Sequence, residues 1–162
     1  MRIDQELFAL AVALGRAAVA KRVMIATAES CTGGLLAGAI TAAAGSSDWF
    51  ERGFVSYSNA SKIEQLAVPM TLIERFGAVS EEVARAMAEG ALRGSQAQWA
   101  VAVTGIAGPT GGTPEKPVGT VCFAWAGAGG AASEHRLIPG DRASIRRDSV
   151  RVGLQGLIDR LA

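Results

Sequence analysis

The sequence predicts one domain, residues 1–162, folded as a three-layer α/β/α sandwich with a mixed β-sheet. Short apolar runs at 23–26, 53–57 and 99–103 alternate with stretches of helical periodicity, the pattern of strands joined by crossover helices. Two later runs, 119–125 and 134–138, flank glycines at 127–130 and read as a hairpin, which adds antiparallel strands to a parallel set. No internal repeat or interdomain linker interrupts the chain, and a domain of this size buries roughly 70% of its unfolded surface.

Asp4 caps a first helix, because its acceptor precedes the stripe Leu7, Leu10, Ala11 and Leu14, and that helix ends near Lys21. Val23 to Ala26 is a buried strand, followed by Glu29-Ser30-Cys31-Thr32-Gly33-Gly34 and a helix to about Ala43. Gly45-Ser46-Ser47-Asp48 breaks the chain before a second strand, Gly53 to Tyr57. A short helix spans Ala60 to Leu66 and stops before Pro69; Thr71 caps another, and Ser80 opens a longer one to about Leu92 with acids in its first turn. Trp99 to Val103 is the third strand. From Thr104 to Pro117 the chain holds four glycines and three prolines in 14 residues, a loop composition, and unstructured loops of that length are usually functional. After the hairpin, Asp141 caps a terminal helix striped by Val150, Leu154, Leu157 and Leu161.

With 49% hydrophobic and 19% charged residues, and no apolar run of about 18, the chain is expected to be soluble rather than membrane-spanning. Its start, Met-Arg-Ile-Asp-Gln-Glu, is acidic where a signal peptide is basic, and Cys31 and Cys122 are too few for a disulfide framework, so a reducing cytoplasm is expected. A net charge of +1 and 6% aromatics argue against a nucleic-acid partner. The lone His135 sits in a predicted edge strand away from other ligands, so no metal site is expected.

Four features carry chemistry. Ser30 stands between a buried strand and a helix that opens Thr32-Gly33-Gly34, where free backbone N–H groups suit an oxyanion or a phosphate; it serves there either as a nucleophile or as a helix cap. A serine hydroxyl needs a base, and the chain has only Lys21, Lys62 and Lys116 as lysines. Lys62 follows Tyr57-Ser58-Asn59 at the end of a strand placed in the same sheet as Ser30, so the two are able to meet at one edge. A lysine base needs its pKa pulled from about 10.4 toward 7, some 4 to 5 kcal/mol, and Tyr57 could supply a hydrogen bond within such a pair; a solvent-facing Lys62 is the alternative. The loop residues Thr104, Gly105, Gly108, Gly111 and Gly112 offer either an amide-rich cradle or a plain glycine turn. Arg142 and Arg146 share a helix face whose next member is Val150, so they are expected to hold an anion between them or to pair with Glu29 or Asp48. Cys31 is the stand-in nucleophile, since a helix N-terminus lowers a thiol pKa.

Taken in order, Thr27 to Gly34, Tyr57-Ser58-Asn59 with Lys62, Gly77 to Glu81, Thr104 to Gly112, Lys116 to Val121 and Gly140-Asp141-Arg142 resemble the CinA C-terminal domain family over nearly the whole chain. Active members of that family are nicotinamide mononucleotide (NMN) amidohydrolases, which release nicotinic acid mononucleotide and ammonia. The resemblance implies Ser30 as nucleophile, Lys62 as base and Tyr57 as assistant, with no cofactor. It implies that Thr104, Gly105 and the glycines after them frame the substrate and that Arg142 lies near its phosphate. Thr32, Gly33, Gly34, Asn59 and Arg146 complete the candidate contacts. A homodimer or larger homo-oligomer is the family expectation. Longer members carry an N-terminal domain resembling molybdopterin-binding proteins, whose chemistry is not expected here. The alternative function is a catalytically silent domain that binds a nucleotide or a partner, linked to competence or DNA damage.

Overall fold

The computed structural model describes residues 2–162. In chain order it runs α1 (Gln5–Lys21), β1 (Ile25–Glu29), α2 (Leu35–Thr41), a 3-10 turn (Ser46–Asp48), β2 (Phe50–Val55), α3 (Asn59–Leu66), α4 (Met70–Phe76), α5 (Glu81–Arg93), β3 (Trp99–Gly105), β4 (Thr120–Gly127), β5 (Gly130–Leu137) and α6 (Arg142–Leu161). The strands lie in the order β2-β1-β3-β4-β5. β1 pairs parallel with β2 and β3, and β3-β4-β5 is antiparallel, so the sheet is mixed as its sequence pattern predicts.

The two faces of the sheet differ in side-chain size, and the difference follows from alternation along each strand. Ile25, Val101, Val103, Val121, Phe123 and Trp125 point to a layer of α1, α2 and α6, where they pack on Leu14, Leu36, Ile40, Ile145, Leu154 and Leu157. Their neighbours Ala26, Ala28, Ala100, Ala102, Ala124 and Ala126 form the opposite face, against α5 and the last turn of α3. Alanines there let α5 lie close to the sheet. The approach continues outward: a Cβ built on Gly90 of α5 would sit 2.0 Å from the Leu66 carbonyl oxygen, so only glycine lets α3 dock at this distance.

Helix starts are set by side-chain caps. Asp4 accepts from the amides of Glu6 and Leu7, Ser58 from Ser61, Ser80 from Val83, and Asp141 from Ser144. Ser80 is the buried member of this group, and its hydroxyl also donates to the Gly77 carbonyl at 2.8 Å. Ser80→Ala therefore loses a cap and a loop anchor together, and a drop of about 1–2 kcal/mol in denaturant unfolding is expected.

Several boundaries differ from the sequence expectation. β1 begins two residues later and extends to Glu29, because Val23 and Met24 belong to the connection, where the Met24 amide donates to Gln98 Oε1. β2 occupies Phe50–Val55, so Tyr57 lies beyond the strand in the turn that leads to α3. α4 starts at Met70 with Pro69 as its N-cap residue, so Thr71 is inside the helix rather than capping it. β5 starts at Gly130, four residues earlier, since tight hairpin pairing takes up the small residues before Glu134.

Candidate active site

The carboxyl ends of the parallel strands β1, β2 and β3 open on one edge of the sheet, and the site is built there. Ser30 follows β1 directly, and its amide donates to the Val103 carbonyl at 2.9 Å, which fixes the residue to β3. The chain then turns through Gly33 (φ +57°) and Gly34 (φ +101°), conformations that glycine adopts without strain.

The helix corner after Ser30 is filled from within. The fully buried Glu29 carboxylate accepts from Thr32 Oγ1 at 2.6 Å and from the amides of Gly34, Leu36 and Ala37 at 3.3, 2.9 and 3.0 Å. The expectation of free amides on Gly33 and Gly34 is corrected here, because the Gly33 amide donates to the Ser30 carbonyl at 3.0 Å and the Gly34 amide to the protein's own Glu29. In this turn, the amides of Cys31 and Thr32 are left without a protein acceptor.

Lys62 enters from α3. Its side chain is 1% exposed, and its Nζ lies 3.2 Å from Ser30 Oγ and 3.0 Å from the Tyr57 carbonyl oxygen. The Ser30 hydroxyl lies 3.4 Å from the same carbonyl. Among the described residues no carboxylate comes within ion-pairing distance of Nζ, and burial pushes the amine's pKa below its ordinary value. The alternative of a solvent-facing Lys62 is thereby excluded. Tyr57 enters the cluster through its main chain, while its phenol is largely exposed and meets Arg142 Nη2 at 3.4 Å.

A cleft of about 270 Å³ lies over this cluster. Its walls are Ser30, Cys31, Tyr57, Asn59 and Lys62 on one side, and Thr104, Gly105, Ile106, Gly108 and Gly111 of the β3–β4 connection on the other, with Ala78, Val79 and Arg142 closing the ends. Thr104 Oγ1 donates to the Ala78 carbonyl at 2.9 Å, and Lys116 Nζ donates to the Phe76 carbonyl at 2.6 Å, so the long connection and the α4–α5 turn are held together. A Cβ on Gly108 would come 2.4 Å from Val118 Cγ1, which makes glycine necessary where the loop folds back on itself.

The two arginines lie in different places. Arg142 donates to the Gly108 carbonyl at 2.7 Å at the cleft mouth, whereas Arg146 donates to the carbonyls of Cys31 and Thr32 from behind the turn. Neither pairs with Glu29 or Asp48: Arg146 donates only to main-chain oxygens, and Arg142 to one main-chain oxygen and the Tyr57 phenol, contacts that a charge-pattern argument does not see. Thr32, Gly33, Gly34, Gly112 and Arg146 do not line the cleft; Gly34 and Arg146 line a separate, mainly apolar groove of about 460 Å³ between α2 and α6. Conversely, Ala78, Val79 and Ile106 were not anticipated as cleft walls, although the Gly77-Ala78-Val79 block was one of the distinctive segments of the sequence.

Cys31 is 5% exposed, and burial pushes its thiol up to about 12, so at neutral pH it is not a thiolate. Among the described residues no group of three or more His, Cys, Asp or Glu side chains is placed to hold a metal ion, and no helix is long and apolar enough to cross a membrane.

The model of the CinA C-terminal domain matches residues 7–161. The chain belongs to the CinA C-terminal domain family. Within the family it is 49% identical over 155 residues to a protein of Escherichia coli K12 named nicotinamide-nucleotide amidohydrolase PncC, covering 95% of this chain and 94% of that one. A Pseudomonas putida protein of the same name is 54% identical over 134 residues, with 83% and 84% covered. A CinA-like protein of Akkermansia muciniphila is 57% identical over 135 residues, but these are only 33% of its length. Among solved structures, the competence/damage inducible protein CihA of Agrobacterium tumefaciens superposes with a TM-score of 0.94 at 44% identity, with 98% of each chain covered.

Proposed function

We propose that the chain hydrolyses the carboxamide of NMN to nicotinic acid mononucleotide and ammonia, with Ser30 as nucleophile and Lys62 as base. The observation that carries this is the buried Lys62 amine, 3.2 Å from Ser30 Oγ and without an acidic partner. The names of the two PncC relatives, each matched over more than four fifths of its length, supply the substrate.

In the neutral state the Lys62 amine takes the Ser30 proton as Oγ bonds to the carboxamide carbon. The oxyanion is received by the amide of Cys31, a residue of the cleft wall whose N–H has no main-chain acceptor. The Lys62 ammonium then returns its proton to the departing nitrogen, which leaves as ammonia. A water molecule, deprotonated by the same amine, cleaves the acyl-Ser30 ester to the free acid and restores the hydroxyl. Tyr57 contributes its carbonyl to hold Nζ, Arg142 meets the phosphate at the mouth of the cleft, and Asn59, Thr104, Gly105, Gly108 and Gly111 frame the rest of the nucleotide.

The lowered Lys62 pKa fixes the sign of the pH dependence. Below that pKa the amine is an ammonium and cannot accept the serine proton, so kcat rises as pH increases through it. Stability moves in the same direction, since the unfolded chain, with an ordinary value near 10.5, holds the proton that the folded chain sheds. Incubating the purified protein with NMN is expected to release ammonia, with kcat governed by one ionisation on its acid side. No ammonia, or a kcat that nowhere rises with pH below the ordinary lysine value of 10.5, would defeat the assignment.

A further inference from the structure

We propose that Ser56 is a positioning residue for Lys62, its hydroxyl accepting a hydrogen bond from the ammonium that forms when Lys62 takes the Ser30 proton. The inference rests on the amidohydrolase assignment and deepens it.

Ser56 is fully buried, and its Oγ has no partner. A buried hydroxyl left unpaired is destabilising, and such orphans call for a reason. Its position supplies one. The β1–β2 register pairs Glu29 with Val55, and the Ser56 amide donates to the Glu29 carbonyl at 2.8 Å, so the next residues, Ser30 and Ser56, stand abreast at the strand ends. Alternation places both on the face shared by Ala28 and Phe54, which is also the face on which α3 packs through Leu66. Ser56 also directly precedes Tyr57, whose carbonyl already holds Lys62 Nζ.

Counting the hydrogens on Nζ shows what is missing. Two partners surround it, Ser30 Oγ and the Tyr57 carbonyl. As a neutral amine it turns its lone pair to the serine and gives one of its two N–H groups to the Tyr57 carbonyl. Once the proton has moved, the ammonium carries three N–H groups in a site without a carboxylate, and a further acceptor lowers the energy of that state. The Ser56 hydroxyl fills that place with no bond to Ser56 made or broken. The other orphaned hydroxyl, Thr27 Oγ1, faces Gly53 and Ala37 on the α2 side of the sheet and is not available to Lys62.

The test uses the intact chain with Ser56→Ala and Ser56→Thr. Three lysines make Lys62 simple to follow by NMR of isotope-labelled lysine side chains, its signal assigned with Lys62→Arg. For Ser56→Ala, kcat on NMN is expected to fall about tenfold at unchanged KM. The Lys62 titration is expected to move down by about half a pH unit, because the charged form has lost an acceptor. Ser56→Thr, which keeps the hydroxyl, should stay within about twofold of the parent. An alanine variant with unaltered kcat and unaltered Lys62 titration would overturn the proposal, as would a threonine variant as impaired as alanine. The titration needs no substrate, so a parent protein that releases no ammonia would refute the assigned reaction while the fate of Ser56 is still decided.

Discussion

Ser30→Ala is expected to lower NMN hydrolysis at least about a hundredfold, near 3 kcal/mol of transition-state stabilisation. The size follows from the absence of a substitute. In the proposed mechanism alanine removes the atom that bonds to the carboxamide carbon, and the adjacent Cys31, its thiol pushed up to about 12, is no substitute. What survives is the binding and oxyanion contribution of the intact cleft, so KM should change little while kcat collapses. Folding should be unaffected, because the Ser30 contact that organises the turn is its amide on Val103, not its hydroxyl. Ammonia release measured beside a thermal melt separates these quantities. Turnover that persists at a tenth or more of the parental rate would remove Ser30 from the chemistry, and inactivation on alkylating Cys31, with Cys31→Ser equally inactive, would transfer the role to the thiol.

Gly90→Ala is expected to destabilise the protein by about 3 kcal/mol and to slow the enzyme as well. In a helix interior that substitution ordinarily stabilises, by roughly 0.5–1 kcal/mol. The sign reverses here because the new methyl would sit 2.0 Å from the Leu66 carbonyl oxygen and 2.8 Å from its carbon, main-chain atoms at the end of α3 that cannot rotate aside. Relief requires α3 to lift off α5, and α3 carries Lys62. A shift of even 1 Å would take Nζ out of hydrogen-bond range of Ser30, so the folded variant should lose about tenfold or more in kcat. Denaturant unfolding and initial rates on the folded fraction check both halves. A variant as stable as the parent would show that the interhelical contact yields more readily than backbone packing allows.

Much of this architecture was legible because strand and helix periods are local. The buried run before Ser30, the caps at Asp4, Ser80 and Asp141, and the glycines of the β4–β5 turn each announce an element within a few residues. Strand order was not legible, since nothing in β2 states that it lies outside β1 rather than beside β3. At the site, type and place made Ser30 and Lys62 candidates with alternatives open, and the family resemblance gave them their roles; 32 residues of sequence separate two atoms that the fold brings to 3.2 Å. Other contacts were not legible for one reason: main-chain atoms make them, and residue type does not announce them. The Tyr57 carbonyl, not its phenol, holds Lys62; carbonyls accept from Arg142 and Arg146; and the amides opening α2 receive Glu29. A residue's type carries no record of where its own carbonyl will point.

The burial of Cys31 has a consequence outside the reaction itself. Peroxide and related oxidants attack thiolates, and a sulfur kept protonated and nearly shut off from solvent reacts slowly with them. With the proposed Ser30 nucleophile beside such a sulfur, amide cleavage should continue under oxidative stress that silences enzymes built on an ionised cysteine.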